Sequence, residues 1–198
     1  MNKHERLHNW SLLAKLFFFK ESAFEDIEGI DLQHATRFFA VGVIPAILIG
    51  LVVSFFRVAS DVAFVERFFW TALNAAGLFM VKAFFLVLLI VLVFSAIVAV
   101  ITSLLASRNV VHEVIYGWLL YTPLVMLALS VALLSAFVFK TPLVTQIVTV
   151  LALGWSLVLI VKTLIATTRA SHGHVEVGVF LGAILTVIVL VLGYVLVR

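Results

Sequence analysis

The chain has no cysteine, which excludes disulfides and thiolate metal sites but leaves the redox compartment open. Charge is almost as scarce: 12% of the 198 residues are Asp, Glu, Lys or Arg, against roughly 25% in a soluble domain, too few to build a water-facing surface. Proline occurs three times, at Pro45, Pro123 and Pro142. There is no Gly-x-Ser-x-Gly, no His-Glu-x-x-His, no glycine-rich phosphate loop and no pair of aspartates, so nothing in the pattern points to a reaction, and we expect no enzyme activity and no cofactor.

What remains is apolar. Hydrophobic residues make up 65% of the chain and the mean hydropathy is +1.28. A hydrocarbon core of about 30 Å takes about 20 apolar residues at 1.5 Å each, and five stretches of that order stand out, at about 38–56, 80–107, 114–139, 141–162 and 177–197. Backbone polar groups find no partner in lipid, so each stretch must be a helix; a closed barrel needs a period-two alternation that these lack. The fold class is therefore an all-α membrane protein, a five-helix bundle (37–198) preceded by an interfacial N-terminal arm (1–36). The net charge of +3 could suggest nucleic acid in a soluble protein. Here the cations flank apolar runs, which points to the lipid bilayer and away from nucleic acid.

The connections are short, which makes neighbouring helices antiparallel. Thr141 and Pro142 read as N-cap and first helical residue of the fourth span. Residues 57–82 are different: Val58, Val62, Val65, Phe69 and Ala72 recur at helical spacing, an amphipathic helix in the interface or a re-entrant segment. The arm carries a similar stripe, Leu7, Trp10, Ala14 and Phe17, expected to anchor it on the membrane surface. The stretch after it, with Glu21, Glu25, Asp26, Glu28 and Asp31, reads as a solvated link. With five spans the termini lie on opposite faces, and placing the N-terminus in the cytoplasm and the C-terminus outside puts eight of the thirteen Lys and Arg residues inside.

No span has an ionisable residue at its centre, where a transporter or pump usually keeps one. Gln146, Thr149, Ser156, Tyr121 and Thr122 are the most polar mid-span residues, expected to make interhelical hydrogen bonds or interface contacts rather than a substrate site. The histidines fall on one side of the predicted topology, and His4, His8, His172 and His174 are the candidate metal ligands; spread over an arm and a loop, they are expected to hold no metal. Small residues recur every fourth position in the first span (Gly42, Ala46, Gly50, Ser54) and in the fifth (Gly178, Gly182, then Thr186). Such stripes let backbones approach, within the bundle or across a homo-oligomer interface. Pro45 and Pro123 should kink their helices.

The segment Leu16-Phe17-Phe18-Phe19-Lys20-Glu21-Ser22-Ala23-Phe24-Glu25-Asp26-Ile27, together with Tyr116-Gly117-Trp118 to Thr122-Pro123 and Gly154-Trp155-Ser156 to Arg169-Ala170-Ser171, resembles the prokaryotic branch of the Yip family, the Ypt-interacting-protein type membrane domain. The chain departs from that family in having Glu21 where proline is frequent and in lacking Asp-Leu-Tyr-Gly-Pro, so GTPase binding is not carried over. The resemblance implies a multi-pass protein of a prokaryotic cell membrane, acting as a membrane-organising scaffold or recruiting a cytoplasmic protein partner. The alternative is a transporter or channel for a neutral or apolar solute, lined by the two kinked spans.

Overall fold

The computed structural model describes the backbone of residues 3–28, 31–58, 62–139, 141–168 and 170–197, with most side chains in those stretches. Among the described residues the structure is entirely helix, turn and short connection: α1 (Lys3–Phe17), α2 (Glu21–Asp26), α3 (Leu32–Val58), α4 (Val62–Ala106), α5 (Val111–Phe139), α6 (Pro142–Thr168) and α7 (His172–Val197). Five of them, α3 to α7, are long and apolar enough to cross a membrane. The chain is a polytopic all-α membrane protein.

The helices overrun the apolar runs. α3 begins at Leu32, α6 continues past Lys162 to Thr168, and α7 starts at His172, because a polar residue at a span end costs a helix nothing once it reaches the headgroup region. The largest departure is α4. Residues 62–106 form one helix of 45 residues, about 67 Å at 1.5 Å per residue. The segment after residue 62 is thus neither re-entrant nor set off by a break; it is helical, as its spacing indicates, and joined directly to the second span.

α5 is the central element and packs against α6, α3, α4 and α1. Leu119 to Met126 are all buried, so every side of that stretch is covered, as expected for a helix that is apolar all round. α7 lies mainly against α4, and its small residues set how close it comes. A Cβ built on Gly182 would stand 2.6 Å from Val98 Cγ2, and one on Gly178 would collide with Thr102 Oγ1. As the α7 number rises by four the α4 number falls by four, so the two helices run antiparallel. Thr186, a turn further on, is buried and donates its hydroxyl to the Gly182 carbonyl (2.7 Å).

Both internal prolines lie inside unbroken helices, Pro45 in α3 and Pro123 in α5. Outward faces carry large apolar side chains such as Leu104, Phe180 and Val150, as a surface facing lipid requires. Two helix ends close in the same way. At the end of α1 the amide of Phe19 donates to the Leu16 carbonyl (3.1 Å) and that of Lys20 to the Lys15 carbonyl (2.9 Å); at the end of α4, Ser107 and Arg108 repeat the pattern onto Leu104 and Ser103. Each is a Schellman motif, and its left-handed residue, glycine in most proteins, is Phe19 (φ 55°) in one case and Ser107 (φ 51°) in the other.

Candidate functional site

The arm is docked into the bundle. Leu12, Leu13 and Leu16 are buried in a cluster with Phe38, Leu119, Leu120, Leu124 and Leu159, so α1 is tied to α3, α5 and α6. That face lies roughly a third of a turn around α1 from the stripe the sequence draws attention to. Of that stripe, Trp10 and Ala14 are exposed, Phe17 is half-buried, and the Leu7 side chain lies outside the described residues. The signal for the docked face is present in the sequence, since Leu12, Leu13 and Leu16 share one side of a helix. A second apolar stripe beside it hides which one the bundle covers.

The stretch read as a solvated link contains the short helix α2, with Ala23 and Ile27 fully buried while its acids stay exposed. Between α1 and α2 the chain turns at Phe19. A bulky residue in the left-handed region costs about 1–2 kcal/mol, and Phe19 is held there by α6. Its ring lies 4.3 Å from that of Trp155, whose own Nε1 donates to the Phe17 carbonyl (3.2 Å), and the Lys162 ammonium sits 5.7 Å from the centroids of both Phe19 and Phe24. An aromatic pair contributes about 0.5–1.5 kcal/mol beyond burial and an exposed cation–π contact about 0.5–1, enough to offset the strained turn. Trp155 and Lys162 are seven residues apart on α6, two turns along one face, and together they clasp the arm.

Beyond the clasp a crevice of about 670 Å³ runs between α2, α6 and α7. Leu157, Val158, Val161, Ile165 and Ala166 of α6 and Phe24 of α2 form its apolar wall; Glu21, Lys162, His172 and Glu176 supply its charged groups. A smaller recess of about 220 Å³, walled by Phe17, Ala128, Val131, Val148, Leu151, Ala152 and Trp155, lies on the other side of the clasp and has no ionisable lining.

The small stripe of α3 meets the arm and the central helix together. Gly42 sits between Leu13 and Pro123, the Ala46 carbonyl accepts a hydrogen bond from Ser130 Oγ (3.3 Å), and Gly50 is buried. The Ser54 side chain lies outside the described residues. Gly117, absent from either stripe, makes the corresponding close approach of α5 to α6, its built Cβ falling 2.7 Å from Leu164 Cδ2. No spacing marks it, because the small residue stands alone on its face.

The mid-span polar residues do not converge. Gln146 is exposed; Thr149 donates to the Thr145 carbonyl (2.8 Å), Ser156 to that of Ala152 (2.7 Å) and Thr122 to that of Trp118 (2.6 Å). These bonds stay within their own helices, where a hydroxyl finds the carbonyl one turn back. Tyr121 alone of the five is seen bonded to another helix, its hydroxyl paired with that of Ser95 on α4. Among the described residues, Thr102 Oγ1, Trp118 Nε1 and Thr163 Oγ1 are buried without a hydrogen-bond partner.

Of the histidines, His172 lines the crevice and His174 is exposed; the side chains of His4 and His8 lie outside the described residues. Among the described residues no three of His, Asp and Glu are grouped to hold a metal ion. His34 belongs to a helix start: Asp31 Oδ1 accepts from the His34 amide (2.8 Å) and lies 2.7 Å from His34 Nδ1. Those bonds, with a weaker contribution from Arg37, hold the Asp31 carboxyl below its usual range. At the same end of the bundle, Arg108 from the α4–α5 turn donates to the carbonyl of Thr168, the last residue of α6.

Set against known proteins, the chain finds no match among protein-family models, curated proteins or solved structures.

Proposed function

We propose that this polytopic protein is a non-enzymatic membrane scaffold of the Yip type, one that organises the bilayer or recruits a protein partner through its arm and the loops on the arm's side. The observation that carries this reading is the covered stretch Leu119 to Met126 at the centre of the bundle. A transporter of the kind set out above needs an open path flanked by Pro45 and Pro123, whereas Pro123 is packed against Gly42. Two segments that carry the resemblance, 16–27 and 154–156, lie against each other in the clasp, which gives the likeness one structural role. Exposed Trp10 and Phe18 give the arm an outward apolar surface suited to the membrane interface. Pull-down from native membranes and the effect of the purified protein on vesicle shape test the reading; recovery of no partner together with unaltered vesicles sinks it.

The orientation belongs to the same proposal: N-terminus in the cytoplasm of a prokaryotic cell and C-terminus outside, as the distribution of Lys and Arg favours. Single cysteines at Ser22 and Ser171, both exposed, should label from the cytoplasmic face, and one at Thr141 from the opposite face. The reversed pattern overturns the orientation.

A further inference from the structure

The crevice between α2, α6 and α7 has the layout of one leaflet. Its apolar wall follows α6 from Leu157 to Ala166, about 13 Å of helix, and the charges gather toward the end at which α6 stops and α7 begins. Two observations bear on what fits there. First, among the described residues Glu21, His172 and Glu176 make no ion pair or side-chain hydrogen bond, and the Lys162 ammonium is held over two phenyl rings with no carboxylate opposite it. Second, the charges are mixed: two carboxylates, one ammonium and an imidazole. A purely anionic guest would meet the carboxylates, and a purely cationic one the ammonium. A guest carrying both signs satisfies each.

We propose that this crevice binds a single glycerophospholipid with a primary-ammonium headgroup, a phosphatidylethanolamine. Its phosphate lies at Lys162 and His172, its ammonium at Glu21 and Glu176, and one acyl chain runs along Val161, Val158 and Leu157. Lys162 supplies the point charge, positioned by Phe19 and Phe24. His172 is the first residue of α7, where amides without intrahelical acceptors favour an anion. The primary ammonium is favoured over a quaternary one because it donates hydrogen bonds that carboxylates accept. The volume falls within the range that encloses a drug-sized group, room for a headgroup, the glycerol and the upper part of one chain. This site does not depend on the scaffold reading: a scaffold, a transporter or an enzyme could each carry it.

The experiment is lipid retention by the purified full chain in detergent, counted by native mass spectrometry. The added lipids are phosphatidylethanolamine, phosphatidylcholine and phosphatidylglycerol of matched acyl chains, with glycerophosphoethanolamine as the chainless control. The expected result is one phosphatidylethanolamine per chain, with the other two lipids and the chainless compound at least tenfold weaker. Lys162→Gln lowers that retention about tenfold and Lys162→Arg restores most of it, which separates loss of the cation from loosening of the clasp. Glu21→Gln with Glu176→Gln, at two exposed positions, brings phosphatidylethanolamine down to the level of phosphatidylcholine. Equal retention of the three lipids, equal binding of the chainless compound, or a headgroup preference that survives the double glutamine variant overturns the proposal.

Discussion

Gly42 and Pro123 face each other across α3 and α5 so closely that a Cβ on the glycine would lie 2.8 Å from the proline Cβ, while on the arm side the same Cβ would lie 2.7 Å from Leu13 Cδ1. Three helices meet on a residue without a side chain. Gly42→Ala therefore lowers stability in detergent by about 1–3 kcal/mol, the range for overpacking, since a proline ring cannot rotate out of the way. Gly154→Ala is the control. Nothing lies within 4 Å of a Cβ there, and removing a glycine from a helix interior raises stability by up to about 1 kcal/mol. Melting curves that rank the two variants in the opposite order would refute this packing.

The α4–α7 contact predicts a larger effect. Gly182→Leu places a branched side chain where a single carbon already meets Val98, so the helices must separate along the stripe that includes Gly178 and Thr186. The loss is expected to be about 3 kcal/mol. Phe180→Leu, on the exposed face, stays within about 0.5 kcal/mol of the parent. Equal melting temperatures for the two variants show that α7 does not use its small face.

Ser107 closes α4 in a left-handed conformation and its side chain is exposed. Ser107→Gly relieves about 1–2 kcal/mol of backbone strain and adds about 0.5–1 kcal/mol of unfolded-state entropy. A net gain of about 0.5–1 kcal/mol follows, read as a higher melting temperature. The same change at Phe19 would also remove the Trp155 and Lys162 contacts, so Phe19→Gly lowers stability. A gain at both sites would mean that the clasp contributes nothing.

Asp31 gives a pH dependence. Its folded carboxyl titrates below the ordinary 3.8, because the amide and ring of His34 donate to it. Between the lowered value and 3.8 the unfolded chain holds more protons than the folded one, so stability rises with pH there. The contribution is complete above about pH 5 and is lost as pH falls through the lowered value. Asp31→Asn keeps a capping oxygen without the charge, and its melting temperature should approach that of the parent as pH drops from 5 toward 3. A gap that is constant over this range counts against the assignment.

The spans were legible in the sequence because one physical demand, satisfying backbone groups in lipid, dominates their composition. Gly42, Gly178 and Gly182 were legible for a related reason: close backbone approach leaves a periodic trace. Helix ends are less legible, because Lys162, His172 and Glu176 look like interruptions in the apolar pattern although the helices pass through them. The clasp was not legible as a contact. Phe19, Trp155 and Lys162 are unremarkable singly, and nothing local brings them together. The left-handed turn at Phe19 lacks the glycine that usually announces one, and Asp31, one acid among five in its stretch, carries no sign in the sequence that it caps α3.

The hydrogen bond from Trp155 to Phe17 spans 138 positions of sequence. At about 5–20 residues per second of synthesis, α1 and its turn exist for roughly 7 to 28 seconds before the helix that holds them has been made. Through that interval Leu12, Leu13 and Leu16 meet their partners in stages, Phe38 of α3 first, Leu119, Leu120 and Leu124 of α5 next and Leu159 of α6 last. The arm is thus covered stepwise in the order of manufacture, and the contact that closes over its turn, from α6, is the last to become available.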